Sequence, residues 1–436
     1  MKCKKIKIFI PEEIPSGNKG EVAILKGIKE SLISLGFRPD ISVLSPFYPD
    51  KDQEEYGNEF RVIDGCKSLH IPYGLTEKDI STKIFMSYWC LIQHILFTVL
   101  YLFFRKKSTK LMKSEIWKEY VKADILLLGH DNLFANPFGS SLFFMNSYQI
   151  LMARVIGKPC VILGASIGPF RYRFLEYIFK FILKKANIIL LREIYSYEYA
   201  KVIGIEEKNM MLATDPAVLL KASPMDRIEE IKQKEGIDLK KPCIALMTSS
   251  FLFRHINYPT MNLEERYWKH VSQISSSIDK VINDLQVEFI FMYHATFPSD
   301  DRDVMRDIFR TLSRKDSVKI IENDYSVEDL KGLIGSCDLF IGERTHSLIS
   351  AVTMCVPCIA ISHKDNFKTD GIIGELFGLQ DRIIFIEEFE EKAFVQLIKH
   401  TWETRKKIHN DLEEALSIAK VYANRNAKAI ERILNS

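Results

Sequence analysis

The sequence predicts an α/β protein with two facing, Rossmann-like, doubly wound domains and a C-terminal helical segment. Short apolar runs bounded by turn residues recur along the chain, and most are followed by a stretch with helical periodicity. This alternation is typical of a parallel sheet covered by helices on both faces, and it occurs twice. The length of 436 residues also favours more than one domain.

The apolar runs divide into two sets of predicted strands. The first set lies at residues 6–10, 41–44, 125–128, 160–163 and 188–191, and the second at 244–247, 289–292, 339–341 and 358–361. The break between them, near residues 221–242, carries few large apolar side chains. We therefore assign a first domain to residues 1–225 and a second to 240–390. Residues 391–436 are charged and helical in period, and we expect them to pack across the domains.

The composition is that of an ordinary globular protein, with 47% apolar and 27% charged residues. The formal net charge of only +3 argues against a general nucleic-acid-binding protein. The eight cysteines are scattered, and several lie in apolar runs, so buried reduced thiols are predicted. Cys355 and Cys358 form a CxxC, but no second pair or histidine cluster accompanies them at zinc spacing, so we predict no metal site.

One segment departs from the pattern of a soluble domain. Residues 84–104 are almost all apolar, and five basic residues follow by position 113. A helix lying in the membrane interface, with the basic cluster on anionic headgroups, accommodates both features. A fully buried core or dimer helix and a membrane span of about 20 residues are the alternatives. Because no secretory leader is evident, we predict a cytoplasmic protein with peripheral contact to the inner membrane face through residues 84–113. Oligomerisation is left open.

The predicted strand ends of the first domain carry glycines and polar groups. The first strand runs into a glycine-bracketed turn that opens directly into a helix, where free backbone amides suit an anion or a polar sugar group. A tight structural turn is the alternative for each of these junctions. The candidate ligand contacts are Gly17, Asn18, Gly20, Glu21, His130, Asp131 and Ser166.

Arg192 ends the predicted strand at 188–191. Its planar guanidinium suits a carboxylate or a phosphate, which it binds in bidentate fashion. The alternative is an ordinary ion pair with Glu193 or another carboxylate.

The strongest local cluster follows the predicted strand at 339–341. Arg344 and His346 stand at the N-terminus of the next helix, just after Gly342. Three kinds of group therefore converge here. Arg344 is always charged and can bind an anion, His346 can donate a proton near neutral pH, and the helix offers free backbone amides. This convergence predicts a site for a phosphorylated substrate.

Two other strand ends of the second domain bear on the same site. Lys364 and Lys368 lie in the basic loop after residues 358–361, and either could neutralise a phosphate. His294 and Asp300 follow the strand at 289–292 and suit sugar hydroxyls or proton transfer. Solvated loop residues are the alternative for the acids.

Six segments follow one another in a specific order along the chain. They are Gly-Asn-Lys-Gly-Glu from residue 17, Gly-Ala-Ser-Ile-Gly-Pro from 164, Arg-Glu-x-x-Ser from 192, Asp-Pro-Ala from 215, His294 with Asp300, and Arg-Thr-His-Ser-Leu-Ile from 344. Over roughly residues 6–380, their order and spacing resemble the polysaccharide pyruvyltransferase family. The resemblance implies a GT-B-like fold, no metal or cofactor, phosphoenolpyruvate as donor, and a sugar acceptor that is either lipid-linked or free of lipid.

The resemblance also implies roles for individual residues. Arg192, Arg344 and His346 would be catalytic and hold the phosphate and carboxylate of the donor, with His346 as the best candidate acid. The spacing to Gly371 favours Lys368 over Lys364 as the lysine beside them. The other implied donor-binding residues are Ser196, Thr345 and Ser347. The implied acceptor-binding residues are Gly17, Asn18, Gly20, Glu21, His130, Asp131, Ser166, His294 and Asp300.

Three positions depart from the family pattern. Glu21 stands where the family usually has Asp, Ala165 stands where Gln is common, and His130-Asp131 replaces part of a glycine run. These departures leave open a different acceptor or an altered chemistry.

The predicted activity is therefore transfer of the pyruvyl group of phosphoenolpyruvate onto a surface-polysaccharide sugar, with formation of a ketal and release of phosphate. Two alternatives share the architecture, since fold alone does not fix chemistry. One is a nucleotide-sugar glycosyltransferase, which needs a pocket for a base and a ribose. The other is a non-catalytic glycan-assembly protein held at the membrane surface by residues 84–113.

Overall fold

The structure is a computed structural model that describes residues 4–45, 49–64, 92–111, 114–128, 139–168, 170, 173–238, 241–256, 260–297 and 299–435. The predicted site residues His130 and Asp131 lie outside the described residues, as do residues 84–91 of the apolar segment. The chain divides into two compact units. The first comprises Met1–Gly17, Ile24–Leu219 and Tyr422–Ser436, and the second comprises Asn18–Ala23 and Leu220–Val421.

The first unit is built on a parallel sheet. Its strands are β1 (Lys4–Glu13), β2 (Phe37–Ser45), β3 (Arg61–Asp64), β4 (Ile125–Leu128), β5 (Cys160–Ala165), β6 (Ile188–Leu191) and β7 (Met210–Leu212). They lie in the order β3-β2-β1-β4-β5-β6-β7, and every described pair is parallel. The described helices are α1 (Lys19–Ser34), α2 (Pro49–Tyr56), α3 (residues 92–104), α4 (Ser108–Leu111), α5 (Glu115–Lys122), α6 (Gly139–Ile156), α7 (Arg173–Leu183) and α8 (Ile194–Val202).

The core of the first unit forms because its central strands are apolar on both faces. All four residues of β4 and all six of β5 are buried, as expected for strands covered by helices on both sides. Aromatic side chains fill one side of the sheet: the Trp117 ring of α5 stacks on Phe97 of α3, with ring centroids 4.5 Å apart.

The second unit repeats the architecture. Its strands are β8 (Cys243–Met247), β9 (Glu288–Met292), β10 (Val318–Ile320), β11 (Leu339–Gly342), β12 (Cys358–Ser362) and β13 (Ile383–Phe385), in the order β10-β9-β8-β11-β12-β13. All described pairs are parallel, which is the doubly wound order that reverses direction once, between β8 and β11. The helices are α9 (Met225–Lys234), α10 (Leu263–Leu285), α11 (Asp301–Thr311), α12 (Val327–Gly335), α13 (Thr345–Thr353), α14 (Phe367–Thr369) and α15 (Glu391–Asn435). The part of α15 from Tyr422 belongs to the first unit, and the start of α1 up to Ala23 belongs to the second.

These elements confirm the predicted fold class. Each predicted strand lies within a strand of the structure, and the C-terminal helical segment is a single helix of 45 residues, α15. The sequence did not predict β3, β7, β10 and β13, which are the edge strands of the two sheets. Among the described residues, no helix is long and apolar enough to cross a membrane.

Candidate active site

The candidate site lies where the second sheet reverses its winding. The loops that leave β8, β9 and β11 carry Ser250, His294 and Arg344, and these strands are neighbours in the sheet. Ligands of doubly wound sheets bind outside the carboxyl ends of the strands at this point, because the loops on either side diverge there and leave a crevice. The position of these loops alone makes them candidates for ligand binding.

Two histidines and a glycine meet closely at these loops. The rings of His294 and His346 are nearly parallel, 4° apart in orientation, with centroids separated by 6.4 Å. Gly20 lies against both rings: a Cβ added to it would come 2.5 Å from Nδ1 of His346 and 3.1 Å from Nε2 of His294. Only a residue without a side chain fits there, so the predicted glycine turn forms one wall of the histidine pair.

The environment of His294 keeps its imidazole neutral. Its side chain is buried, and Nε2 has no hydrogen-bond partner among the described residues. Burial is the largest cause that lowers the pKa of His294 well below its ordinary value, and His346, Arg344, Lys19 and Lys368 add to the effect. A neutral imidazole can accept a proton from a hydroxyl, which suits the predicted role of His294 towards an acceptor.

Arg344 is held in place by a buried acid. Its Nε and Nη2 donate to the two oxygens of Asp301, at 2.9 and 2.7 Å, in a bidentate fork. The Asp301 carboxylate also accepts from the backbone N–H groups of Ser250 and Ala295, both at 3.0 Å. The Arg344 side chain stays 20% exposed, so a guanidinium edge that is not engaged by the fork is accessible.

A second ion pair fixes the turn that carries Gly20. Nζ of Lys19 lies 2.8 Å from Oδ1 of Asp324, and the Lys19 side chain is only 6% exposed. Burial alone would raise the pKa of Asp324, but the Lys19 ion pair and a hydrogen bond from Tyr293 outweigh it and lower that pKa. The turn is further joined to the loop after β9, because the Lys19 N–H donates to the carbonyl of His294 at 3.3 Å.

The structure separates the two candidate lysines. Lys364 is paired with Glu388 and is about half exposed. Lys368 is half-buried, and its charge contributes to the lowered pKa of both His294 and His363. Lys368 is therefore within electrostatic reach of the histidine pair, and its contact with a donor stays a prediction.

Other predicted residues of the second unit are committed to local contacts. The Thr345 hydroxyl lies 2.7 Å from that of Thr369, and the Ser347 hydroxyl donates to the carbonyl of Arg344 at 2.7 Å. Asp300 caps α11 and binds the Arg302 guanidinium through both oxygens. It is the neighbouring Asp301 that contacts Arg344. Ligand contacts for Thr345, Ser347 and Asp300 stay predictions.

The N-terminal turn residues fall on both sides of the unit boundary. Gly17 belongs to the first unit, whereas Asn18 and Glu21 belong to the second. Asn18 forms an antiparallel bridge with Ala295, and Glu21 lies partly buried in the first turn of α1. Their acceptor-binding roles stay predictions.

Arg192 lies in a buried polar network of the first unit. Its Nε donates to the Ser166 hydroxyl at 2.8 Å, and Nη1 lies 3.2 Å from Oδ2 of Asp215, with both charged side chains fully buried. Ser196 accepts from the N–H of Ile167 at 2.8 Å, so its hydroxyl joins the loop after β5 to α8. Thus the predicted donor residues Arg192 and Ser196, and the predicted acceptor residue Ser166, all bind other parts of their own unit. Their ligand contacts stay predictions.

We expect Arg192→Met to lower the stability of the protein by about 3–5 kcal/mol, because it leaves the buried Asp215 carboxylate without its partner. Urea unfolding measures this loss. Lys208→Met is the control, since its ion pair with Glu206 is exposed on both sides and contributes little to stability. If Arg192→Met instead keeps full stability and only weakens donor binding, the guanidinium serves the donor and not the fold.

Three side chains of the second unit resemble a metal-ligand set. The rings of His255 and His363 stack with centroids 3.9 Å apart, and their nitrogens and the Glu387 carboxylate lie within 4.8 Å of one another. Burial, with help from His255 and Lys368, lowers the pKa of His363 to about 4 and keeps it neutral. Ligands on one tetrahedral zinc ion are only about 3.3 Å apart. The three side chains could hold one zinc ion only with all three ligand atoms near that separation.

The CxxC cysteines have inert thiols. Burial raises the pKa of Cys358 to about 12 and also raises that of the half-buried Cys355, and both thiols are free. A raised thiol pKa disfavours the thiolate that metals and redox partners require.

A comparison with known proteins identifies the family of the chain. A family model described as polysaccharide pyruvyl transferase matches residues 18–366, a span that contains the histidine pair, Arg344 and Lys19. The chain belongs to the polysaccharide pyruvyl transferase family. The amylovoran biosynthesis protein AmsJ of Erwinia amylovora is 22% identical to this family member over 426 residues, which cover 96% of this chain and 98% of AmsJ.

Solved structures resemble this pyruvyl transferase family member along its full length. A UDP-GlcNAc 2-epimerase from Neisseria meningitidis has a TM-score of 0.59 at 11% identity and covers 99% of this chain and 100% of its own. A glycosyltransferase from Rickettsia africae has a TM-score of 0.56 at 12% identity and covers 100% of this chain and 99% of its own. At these identities the likeness shows the fold alone, which is GT-B-like.

Proposed function

We propose that the protein transfers the pyruvyl group of phosphoenolpyruvate onto a sugar of a surface polysaccharide or its lipid-linked precursor. The product is a pyruvyl ketal, and inorganic phosphate is released. The observation that carries this proposal is the convergence of Arg344, His346, His294 and Lys368 at the winding reversal of the second sheet. Membership of the family and similarity to an amylovoran biosynthesis protein support it.

The cations of the site match the charge of the donor. Phosphoenolpyruvate carries a phosphate and a carboxylate, and the accessible edge of Arg344 can bind either through two hydrogen bonds. Asp301 fixes the guanidinium before the donor arrives, so little side-chain entropy is lost when the donor binds. Lys368 supplies a second positive charge for the phosphate as it leaves. Arg192 is retained as a proposed donor contact on the family resemblance alone.

The reaction begins with His346 donating a proton to the methylene carbon of phosphoenolpyruvate. The adjacent carbon becomes cationic and is stabilised by its oxygen. A sugar hydroxyl attacks this carbon, and neutral His294 accepts the hydroxyl proton. The bond to the phosphate oxygen then breaks, with phosphate taking the electron pair and the proton held by His294. A second hydroxyl attacks the same carbon to close the ketal, and its proton returns to His346. No electron acceptor and no metal are needed, so the step balances with donor, acceptor and phosphate alone.

The test is calorimetric titration of phosphoenolpyruvate, with a chelator present, into the wild-type protein and into Arg344→Lys. Lysine keeps the charge beside Asp301 but loses the fork, so we expect binding at least about tenfold weaker. Arg302→Lys is the matched control, because Arg302 forks onto Asp300 in the same unit. We expect that control to bind like the wild type.

A panel of nucleotide sugars in the same titration separates the alternatives. Selective binding of one nucleotide sugar, with none of phosphoenolpyruvate, would assign a glycosyltransferase. No binding of either class, in a folded protein, would favour a non-catalytic assembly role.

A further inference from the structure

The inner face of α3 packs against other helices of the first unit. Phe97 and Tyr101 are buried, and Phe97 stacks on Trp117 of α5. The carbonyl of His94 accepts a hydrogen bond from the Tyr148 hydroxyl of α6 at 2.6 Å. These contacts fix the orientation of α3, and they therefore determine which side chains lie on its outer face.

The outer face of α3 presents large apolar side chains to the surface. At 100° per residue, six of them fall within an arc of about 120°, and no polar residue lies in that arc. They are between 44% and 77% exposed: Ile92, Ile95, Leu96, Val99, Leu102 and Phe103. Leu111, just beyond, is 60% exposed. We call these seven residues the apolar patch. A single exposed leucine needs no explanation, but a contiguous apolar patch marks an interaction surface.

Positive charge adjoins the apolar patch. Residues 105–122 contain seven basic and two acidic residues, a net charge of +5, whereas the whole chain carries only +3. Arg105, Lys106, Lys107 and Lys110 are exposed. The remaining chain is therefore net negative, and the surplus of positive charge is concentrated directly after α3.

The basic side chains also form a concave site. Lys110 of α4, with Lys118 and Lys122 of α5, lines a surface cavity of about 610 Å³, together with Thr109 and Val121. Lys118 lies 2.6 Å from Glu115, and Lys122 lies 3.5 Å from Glu119. The charge of Lys110 therefore makes the cavity net positive. A cavity of this size and charge can hold a phosphate headgroup.

We propose that the apolar patch binds the anionic surface of a phospholipid bilayer together with the described basic residues beside it, Arg105, Lys106, Lys107, Lys110, Lys118 and Lys122. The patch enters the boundary between headgroups and acyl chains, and the lysines and Arg105 bind lipid phosphates. The charge beside the patch is what selects this occupant, since anionic headgroups complement it and a second basic copy of the same face would repel it. This surface lies wholly within the first unit, so it does not depend on the proposed chemistry of the second.

The test is co-sedimentation of the full chain with vesicles of phosphatidylcholine, with and without phosphatidylglycerol. We expect strong binding to the anionic vesicles and at least about tenfold weaker binding to the neutral ones. Lys106→Ala/Lys107→Ala should weaken anionic binding roughly tenfold or more, and Leu102→Gln/Phe103→Gln should weaken binding to both. The substituted side chains are exposed, so thermal unfolding should match that of the wild type.

Matched controls remove similar groups elsewhere. Val202→Gln/Met225→Gln replaces exposed apolar side chains, and Lys392→Ala/Lys428→Ala replaces exposed lysines, so both should bind like the wild type. Failure of the wild type to bind anionic vesicles, or equal binding by the patch variants, would overturn the proposal. The proposal would also be overturned if the wild type sedimented as a dimer, bound no vesicles, and became monomeric in Leu102→Gln/Phe103→Gln. Normal pyruvyl transfer to a soluble acceptor by the patch variants would separate this surface from the catalytic proposal.

Discussion

His346→Gln is expected to lower the turnover number by about 10²–10⁴-fold while phosphoenolpyruvate still binds. Glutamine approximates the size and hydrogen-bonding capacity of the imidazole but cannot deliver a proton near neutral pH, and general acid catalysis contributes about this factor. Because Arg344 and Lys368 remain, the donor's charges keep their partners. Steady-state kinetics of phosphate release, with calorimetry of donor binding, separates the two effects.

The control for this variant is His400→Gln, an exposed histidine of α15. It should retain wild-type turnover. His346 is buried, so unfolding by urea must establish that the variant is folded. A folded His346→Gln protein with near-normal turnover would assign the proton transfer to another group.

Gly20→Ala is expected to reduce turnover by about 10²-fold, and the helix propensity of alanine should offset part of the overpacking cost to stability of about 1–3 kcal/mol. The new methyl group would lie 2.5 Å from Nδ1 and 2.9 Å from Cγ of His346. Because Cγ is the ring atom next to Cβ, the whole imidazole must move. Displacement of a catalytic group by about 1 Å costs a factor of this size. Alanine is otherwise the better helix former by about 1 kcal/mol, and Gly20 lies in the first turn of α1.

Gly36→Ala provides the opposite pattern and serves as the control. Gly36 has a φ of +84° and open space around it, so alanine strains the backbone without touching any neighbour. We expect a loss of stability of about 1–2 kcal/mol with unchanged turnover per folded molecule. If Gly20→Ala also keeps wild-type turnover per folded molecule, the contact of Gly20 with His346 has no catalytic consequence.

The interior strands could be predicted from the sequence, whereas the edge strands could not. Buried parallel strands such as β4 and β12 must be apolar on both faces, so continuous apolar runs mark them. The edge strands β3, β7, β10 and β13 are only three or four residues long and partly exposed. A run of that length has too few positions to show a period, and its pairing depends on a neighbour far away in the chain.

The site was predictable where its groups are adjacent in the chain. Arg344 and His346 both lie within four residues of the end of β11 at Gly342, so their convergence with a helix N-terminus is local information. The partners that fix the site are distant: Asp301 is 43 residues from Arg344, and Asp324, which binds Lys19, follows it by 305 residues (324 − 19). Asp300 and Asp301 cannot be told apart without the helix cap that turns one carboxylate towards Arg302 and the other towards Arg344.

Arg192 shows the limit of reasoning from residue type alone. A guanidinium at a strand end suits a phosphate and a carboxylate equally well, and its sequence neighbours do not distinguish them. The ion pair with the buried Asp215, 23 residues away, forms only in the folded sheet, so the sequence could not show it.

The central claim is that phosphoenolpyruvate is the donor and that its pyruvyl group ends on a glycan. The most direct test is to incubate the protein with carbon-labelled phosphoenolpyruvate and the lipid-linked glycan fraction of the producing cells, and to measure phosphate and glycan-bound label together. Pyruvyl transfer predicts equal amounts of released phosphate and of acid-labile label on the glycan, and both should be lost in His346→Gln. Intact phosphoenolpyruvate, with sugar transferred instead from a nucleotide-sugar donor, would contradict it.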